Sequence, residues 1–391
     1  MIMSKDNDKI NIMKIGLFTD TYHPQINGVV TSIDSFKYEF EKMGHSVYVF
    51  APKLNGIQST STVWRFRSVP YPFHNEHRLV WPLSRQLSSF SDLNLDIIHA
   101  QTPFAMGFLA SRLAKKYGLP LVHSFHTHFE EYCHYVPFAP KKVVKRFAVY
   151  QSQKTCNDAD LIITPSQAMK DKLLSYKVTQ PIDIIPTGIR LDRPPVLANA
   201  IHDFRQCYGI SSDDIVLTFI GRLGLEKNIF FLLDCFHQIY DCYPNVKLLI
   251  IGDGPQRQLL KDRVNELNLT KHVVFTGYLD HDSVFVGLSL STACLFPSKT
   301  ETQGLILLEA MSMGVPVICI RSMSVDEVLC NNNGGFLTDD SISAYSKIVI
   351  DLISNPALLK AKQSEALLRA RDYSSVGLAH RMIALYQNLI R

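Results

Sequence analysis

The residues best equipped for chemistry sit in short segments, each just past an apolar run. Residues 215–220 (IVLTFI) end at Gly221-Arg222, and Lys227 follows five positions later, where the pattern predicts a helix start. A helix N-terminus disfavours a cation by about 0.3–1 kcal/mol, so a lysine there asks for an anion. An arginine fork beside a lysine point charge suits a diphosphate. The plainer reading is two solvated surface cations.

Residues 296–311 (FPSKTETQGLILLEAM) run from a strand, through a loop with Glu301, into a helix with Glu309 among apolar side chains. A buried carboxylate is costly unless it is paired or hydrogen-bonded. Ribose hydroxyls would serve, and so would a structural partner. The backbone N–H groups of Gln303, Gly304 and Leu305 open that helix, where they can hold sugar hydroxyls or a phosphate or simply be capped.

Three weaker signals follow other strands. Gly28 closes the loop at 21–28 (TYHPQING), where it either lets a phosphate approach or only permits a turn. Gly252-Asp253-Gly254-Pro255 is a tight turn on which a base or ribose can rest. His126-Thr127-His128 ends another strand, with His126 nearest the strand's end. No cysteine or aspartate pattern accompanies the histidines, so no metal site is expected. Neither domain carries G-x-G-x-x-G, which disfavours a dinucleotide-dependent dehydrogenase.

These residues need elements to hold them. Short apolar runs at 14–20, 46–51, 96–100, 120–125, 160–164 and 183–186 alternate with helical patterns at 29–43 and 105–117. That is the signature of a parallel sheet with helices on both faces. Residues 190–204 hold two prolines and read as a linker. Strands are expected again at 215–220, 246–251, 273–276, 293–296 and 315–320. Three segments follow: 1–195, 196–374, and an amphipathic helix at 375–391 that returns to the first domain, with Leu378, Met382, Leu385 and Leu389 on one face. In open α/β sheets ligands bind beyond the carboxyl ends of the strands, which is where the residues above lie.

Composition bounds the class. The chain has 391 residues, 46% hydrophobic and 19% charged, enough apolar material for two cores and too much for disorder. Net charge is +4, divided as +7 over residues 1–195 and −3 over the rest. A basic first half suits phosphate or anionic lipid. The eight cysteines form no C-x-x-C pair, as expected in a reducing compartment. The polar start is no secretory signal, and no apolar run reaches the ~18–20 residues that span a bilayer. A cytoplasmic protein is expected.

Taken together, NGV at 27–29, FHTH at 125–128, IPTGI at 185–189, GRLGLEKN at 221–228, IGDGP at 251–255 and ETQGLILLE at 301–309 resemble the family-4 retaining glycosyltransferases. The resemblance covers nearly the whole chain. It implies the α/β GT-B fold, two doubly wound Rossmann-like domains facing a cleft, with the donor in the second. It implies a nucleotide-sugar substrate and no tightly bound cofactor; Mg2+ stimulation is not legible. By this resemblance Gly28 and Gly254 would lie on the donor, and Arg222 and Lys227 would neutralise its diphosphate. Glu309 would bind the ribose. Glu301 and the amides of Gln303, Gly304 and Leu305 would hold the sugar, and His126 would orient it near the reacting carbon.

Within the family, the segments 19–33, 126–137 and 301–304 look most like diacylglycerol glucosyltransferases, which implies UDP-glucose as donor. Residues 132–157 contain no acid but hold Lys141, Lys142, Lys145, Arg146 and Lys154. On a helical wheel Val143, Val144, Phe147, Ala148 and Tyr150 share one side, and the first four cations fall largely on the other. That pattern fits a helix lying on anionic lipid, and equally a solvated helix packed on a core. A peripheral membrane enzyme acting on diacylglycerol is the expectation. A transferase using a soluble or polyprenyl-linked saccharide, or a non-catalytic nucleotide-sugar scaffold, are the alternatives. No nucleic-acid partner is expected, and the sequence assigns no oligomeric state.

Overall fold

The computed structural model describes residues 12–25, 27–54, 56–71, 74–126, 140–299 and 303–390. The chain divides into two compact units, residues 1–188 with 375–391, and residues 189–374. The division falls at Gly188/Ile189, earlier than the expected 195/196, because Ile189 already pairs with Ser374 of the second unit.

The first unit opens with β1 (Lys14–Phe18), α1 (Gly28–Lys42), β2 (Ser46–Pro52) and β3 (Val63–Phe66). A hairpin of β4 (Ser68–Tyr71) and β5 (His74–Val80) follows. Then come β6 (Ile97–Ala100), α2 (Ala105–Tyr117), β7 (Leu121–Ser124), α3 (Lys141–Asn157), β8 (Leu161–Thr164), α4 (Gln167–Ser175) and β9 (Ile182–Ile184). Seven strands form one parallel sheet in the order β3-β2-β1-β6-β7-β8-β9. Strands β6, β7 and β8 are buried along their whole length, which explains why they are mostly apolar, with only His99, His123, Ser124 and Thr164 polar.

The second unit holds α5 (Ala198–Tyr208), β10 (Ile215–Ile220), α6 (Ile229–Cys242), β11 (Val246–Ile251), α7 (Arg257–Glu266), β12 (Val273–Gly277) and α8 (His281–Ser289). It continues with β13 (Ala293–Phe296), α9 (Leu305–Ser312), β14 (Val317–Ile320), α10 (Met323–Val328), β15 (Gly335–Thr338), α11 (Ile342–Ser354) and α12 (Pro356–Arg371). Its six-stranded parallel sheet runs β12-β11-β10-β13-β14-β15. The expected linker at 190–204 is partly wrong. Pro194 and Pro195 hold the chain out of helix only until Ala198, after which α5 buries Phe204 and ends at Gly209 in the left-handed region, φ +61°.

The last helix, α13 (Ser375–Ile390), belongs to the first unit. Leu378, Met382 and Tyr386 are buried in the core with Ile33 and Phe40 of α1, and Leu385 and Leu389 pack at its margin. Ser375 Oγ donates to Glu39 Oε1 at 2.6 Å, and the Phe40 and Tyr386 rings meet edge-on at 5.8 Å. In both sheets the strand order reverses beside the first strand, between β1 and β6 and between β10 and β13. Such switch points open a crevice at the strands' carboxyl ends.

Candidate functional site

In the second unit the loops after β10, β11 and β13 converge on that crevice. Arg222 follows β10 after Gly221, and its Nη1 lies 3.9 Å from Glu226 Oε1. Lys227 is not at a helix start as expected. It ends a short 3-10 turn, Leu225–Lys227, and α6 begins at Ile229 after Asn228 takes the left-handed conformation at φ +54°. Its Nζ stands 5.6 Å from the centre of the Phe296 ring at the end of β13. Ser298 Oγ donates to Glu226 O at 3.2 Å, tying the loop after β13 to this turn. Arg222 and Lys227 thus share the ends of two neighbouring strands.

Gly254 has a packing reason to be glycine. A Cβ there would sit 2.6 Å from Leu223 O, because the loops after β10 and β11 are zipped together. Leu223 N donates to Asp253 O at 2.9 Å, and Gln256 N to Leu223 O at 3.0 Å. Asp253 is fixed in turn by Arg257, 2.5 Å away.

Gln303 is buried, Gly304 precedes α9 with φ +72°, and Leu305 is its first residue. Glu301 lies outside the described residues. Glu309, mostly buried, has a partner that sequence reasoning missed: its Oε1 lies 3.0 Å from Nε2 of His281, the first residue of α8. Arg193 Nη2 contacts Nδ1 of the same ring at 2.9 Å, and its guanidinium covers the Phe285 ring at 3.8 Å. The only sequence signal for this arrangement is the start of α8 itself, where the Asp280 side chain accepts from Ser283 N.

In the first unit the loop after β1 leads into α1. Asn27 caps it, its Oδ1 accepting from Val29 N and Val30 N at 3.1 Å each. Gly28 is not among the residues with positive φ, and a Cβ on it would meet nothing within 4 Å. The local backbone therefore does not require a glycine. Asp20, just after β1, accepts from Thr102 Oγ1 at 2.6 Å and from Met106 N at 3.2 Å, so it caps α2 from outside. Burial raises its carboxyl to about 6 against those hydrogen bonds.

His126 follows β7 and is half-buried, with Nε2 2.9 Å from Gln101 Oε1. Burial pushes its imidazole down to about 4, so it is neutral at pH 7. His123 is driven down to about 3 by burial and then by His126, and His99 is lowered for the same reasons. His99 is held between Tyr386 OH and Ser124 Oγ. Gln101 and Tyr386 were not legible as histidine partners.

On α3 the cations Lys142, Lys145 and Arg146 are exposed; the side chain of Lys141 is outside what is described. Of the apolar residues expected to share one side, Val143, Phe147 and Tyr150 are 59%, 65% and 58% exposed, while Val144 and Ala148 are half-buried. Helix α3 buries only its second half, through Ser152, Thr155 and Cys156.

Residues 26–193 match the model for Glycosyltransferase Family 4, and residues 201–368 that for Glycosyl transferases group 1. The chain is 32% identical over 362 residues to the alpha-monoglucosyldiacylglycerol synthase of Streptococcus pneumoniae, covering 91% of this chain and 82% of that one. It is 30% identical over 390 residues to the alpha-monoglucosyldiacylglycerol synthase of Acholeplasma laidlawii, covering 97% and 98%. Among solved structures, sucrose-phosphate synthase from Thermosynechococcus elongatus superposes with a TM-score of 0.78 at 20% identity, over 96% of this chain and 99% of that one. HepE of Anabaena in complex with UDP-glucose does so at 0.75 and 18%, over 96% and 99%. At such identities these two speak for the GT-B fold. The two parallel sheets, the ordered motifs and these relatives lead to one conclusion: the chain belongs to the family-4 glycosyltransferases.

Proposed function

We propose that this glycosyltransferase moves glucose from UDP-glucose onto the free hydroxyl of a diacylglycerol lipid, with retention at the anomeric carbon, at a membrane surface. The observation that carries this reading is the near end-to-end likeness to two alpha-monoglucosyldiacylglycerol synthases. The exposed apolar and cationic half of α3 supports it, since that is how a helix meets anionic lipid.

In this reading the bond between the anomeric carbon and the diphosphate breaks as positive charge grows on the sugar ring. Arg222 and Lys227 neutralise the departing diphosphate, and charge placed in advance costs no reorganisation at the moment of reaction. Gly28 gives the diphosphate an open approach to α1. Glu309 accepts from the ribose hydroxyls. Glu301, with the amides of Gln303, Gly304 and Leu305, holds the sugar. His126, neutral and braced by Gln101, orients the sugar and contributes no charge. The lipid hydroxyl attacks from the face the phosphate leaves, and that phosphate takes its proton. No carboxylate nucleophile is assigned, unlike the paired carboxylates of glycosidases.

Mass spectrometry of lipid extracts tests the reading, with UDP-glucose, UDP-galactose or GDP-mannose offered to the purified protein and diacylglycerol vesicles. A hexosyl-diacylglycerol formed from UDP-glucose supports it. UDP release with soluble saccharides alone moves the acceptor to the polysaccharide alternative.

A further inference from the structure

We infer that the β4–β5 hairpin is a lipid-contacting element whose outer face rests on an anionic bilayer, with Trp81 at the headgroup boundary. The inference rests on the lipid-acceptor reading above and names a surface that reading does not use.

The hairpin is an inverted ribbon. Val69 pairs directly with Leu79, and Trp81 N donates to Arg67 O at 2.7 Å. Side chains alternate along a strand and directly paired residues share a face. Arg67, Val69, Leu79 and Trp81 therefore share one face, and Ser68 and Val80 the other. Val80 is the inward residue, packed with Phe66, Ile98, Met106 and Leu109. The outward face is the apolar one: Val69 is 58% exposed, Leu79 53%, Trp81 64%, and Leu83 just beyond is 60% exposed. A two-stranded ribbon with one solvated face normally carries polar residues there.

Charge selects the occupant. Between residues 53 and 91 the sequence holds Lys53, Arg65, Arg67, Arg78 and Arg85 against the single acid Glu76. Arg65 and Arg78 face the protein, bonding Pro52 O and Ser68. Lys53, Arg67 and Arg85 are exposed around the apolar patch. A tryptophan with arginines and aliphatic side chains is suited to the boundary between headgroups and acyl chains. Each cation near an anionic leaflet strengthens binding about fivefold.

The patch is also continuous with neighbouring apolar surface. Helix α2 packs on β5 and leaves Phe104 and Phe108 49% and 46% exposed. Gln151 of α3 donates to Pro103 O at 3.2 Å, joining α3 to the start of α2. The right-handed crossovers from β6 to β7 and from β7 to β8 put α2 and α3 on one side of the sheet. Hairpin, α2 and the exposed half of α3 thus line one side of the first unit.

Tryptophan fluorescence tests this directly, because the chain has only two tryptophans. Trp64 packs against Phe50 at 5.4 Å, so the full-length Trp64→Phe protein reports on Trp81. It is titrated with phosphatidylglycerol/phosphatidylcholine vesicles, with and without brominated acyl chains, and with phosphatidylcholine alone. The inference predicts a blue shift and bromine quenching on the anionic vesicles. The variant Leu79→Ser/Trp81→Ser/Leu83→Ser should sediment with anionic vesicles at least about tenfold more weakly. Its thermal midpoint and its transfer to detergent-dispersed diacylglycerol should match wild type. Arg67→Ser/Arg85→Ser should lose affinity without any change in the core.

Unquenched Trp81 emission, or a triple variant that binds vesicles as tightly as wild type, would overturn the inference. So would a dimer that shields Trp81 in the absence of lipid. Quenched Trp81 with no glycolipid product would uphold the inference and overturn the acceptor reading instead.

Discussion

Glu309 Oε1 lies 3.0 Å from Nε2 of His281, and Arg193 grips the other ring nitrogen of that histidine at 2.9 Å. The carboxylate that the family resemblance gives to the donor ribose is thus already oriented within the second unit. A hydrogen bond to a charged group is worth about 1.5–3 kcal/mol. Glu309→Ala should raise the donor KM by about ten- to a hundredfold with a smaller change in kcat. His281→Ala should raise the donor KM by less, since it removes only the brace. Steady-state kinetics with varied UDP-glucose checks both, and an unchanged KM in Glu309→Ala would remove the ribose assignment.

Arg222 and Lys227 lie in the loop after β10, with Lys227 Nζ 5.6 Å from the Phe296 ring at the end of β13, and the proposed function gives them the leaving diphosphate. Arg222→Ala and Lys227→Ala should each cut turnover at least about 100-fold, the scale on which a transition-state charge contact is lost. Both side chains are partly exposed, so the thermal midpoint should hold. Near-wild-type turnover in both variants would sink the diphosphate assignment.

The first unit should lose stability on acidification. His99, His123 and His126 all have folded values below the unfolded value of about 6.5, so their stabilising contribution is full above that pH. It falls as pH drops through 6.5 toward their folded values, because the unfolded chain then binds more protons. At pH 5.5 the loss is on the order of 1 kcal/mol per imidazole. Asp20 works in the opposite sense: with a folded value of about 6 against about 3.8 unfolded, it regains stability as pH falls through 6, which offsets one histidine in part. The net expectation is a lower thermal midpoint at pH 5.5 than at 7.5 in matched ionic strength. A flat or rising midpoint would mean that these imidazoles are not held neutral.

Helix α13 is part of the first core and no appendage to it. Tyr386 is fully buried against Phe40 and bonds His99. Tyr386→Ala should cost about 3–5 kcal/mol, the usual range for a large buried aromatic. Tyr386→Phe, which keeps the ring and drops the hydroxyl, should cost about 1–3 kcal/mol by leaving His99 with one partner fewer. Chemical denaturation measures both, and equal midpoints for wild type and Tyr386→Ala would contradict this packing.

The strands that carry the site were legible because they are buried on both faces, as in IVLTFI at 215–220 and VKLLII at 246–251. Strand β3 and the hairpin were missed: β3 and β4 are short, β5 is mixed in polarity, and they lie at a sheet edge or outside it, where no periodic signal builds up. Arg222 and Lys227 stood out because both follow one strand within a few residues. The partners of Glu309 and His126 did not, since His281 is 28 positions from Glu309 and Gln101 is 25 from His126, and only the sheet order brings them close. The wheel of α3 put cations and apolar residues on different sides, but only side-chain exposure distinguishes a face that meets solvent from one that meets a core. Val143, Phe147 and Tyr150 are on the solvent side.

The most direct measurement is the product itself. Purified protein, UDP-glucose and diacylglycerol in phosphatidylglycerol vesicles should yield an alpha-linked glucosyl-diacylglycerol, identified by mass spectrometry and the anomeric coupling in proton NMR. A beta-linked product would contradict retention. If no donor is turned over with any acceptor although UDP binds, the catalytic role proposed for this site is contradicted.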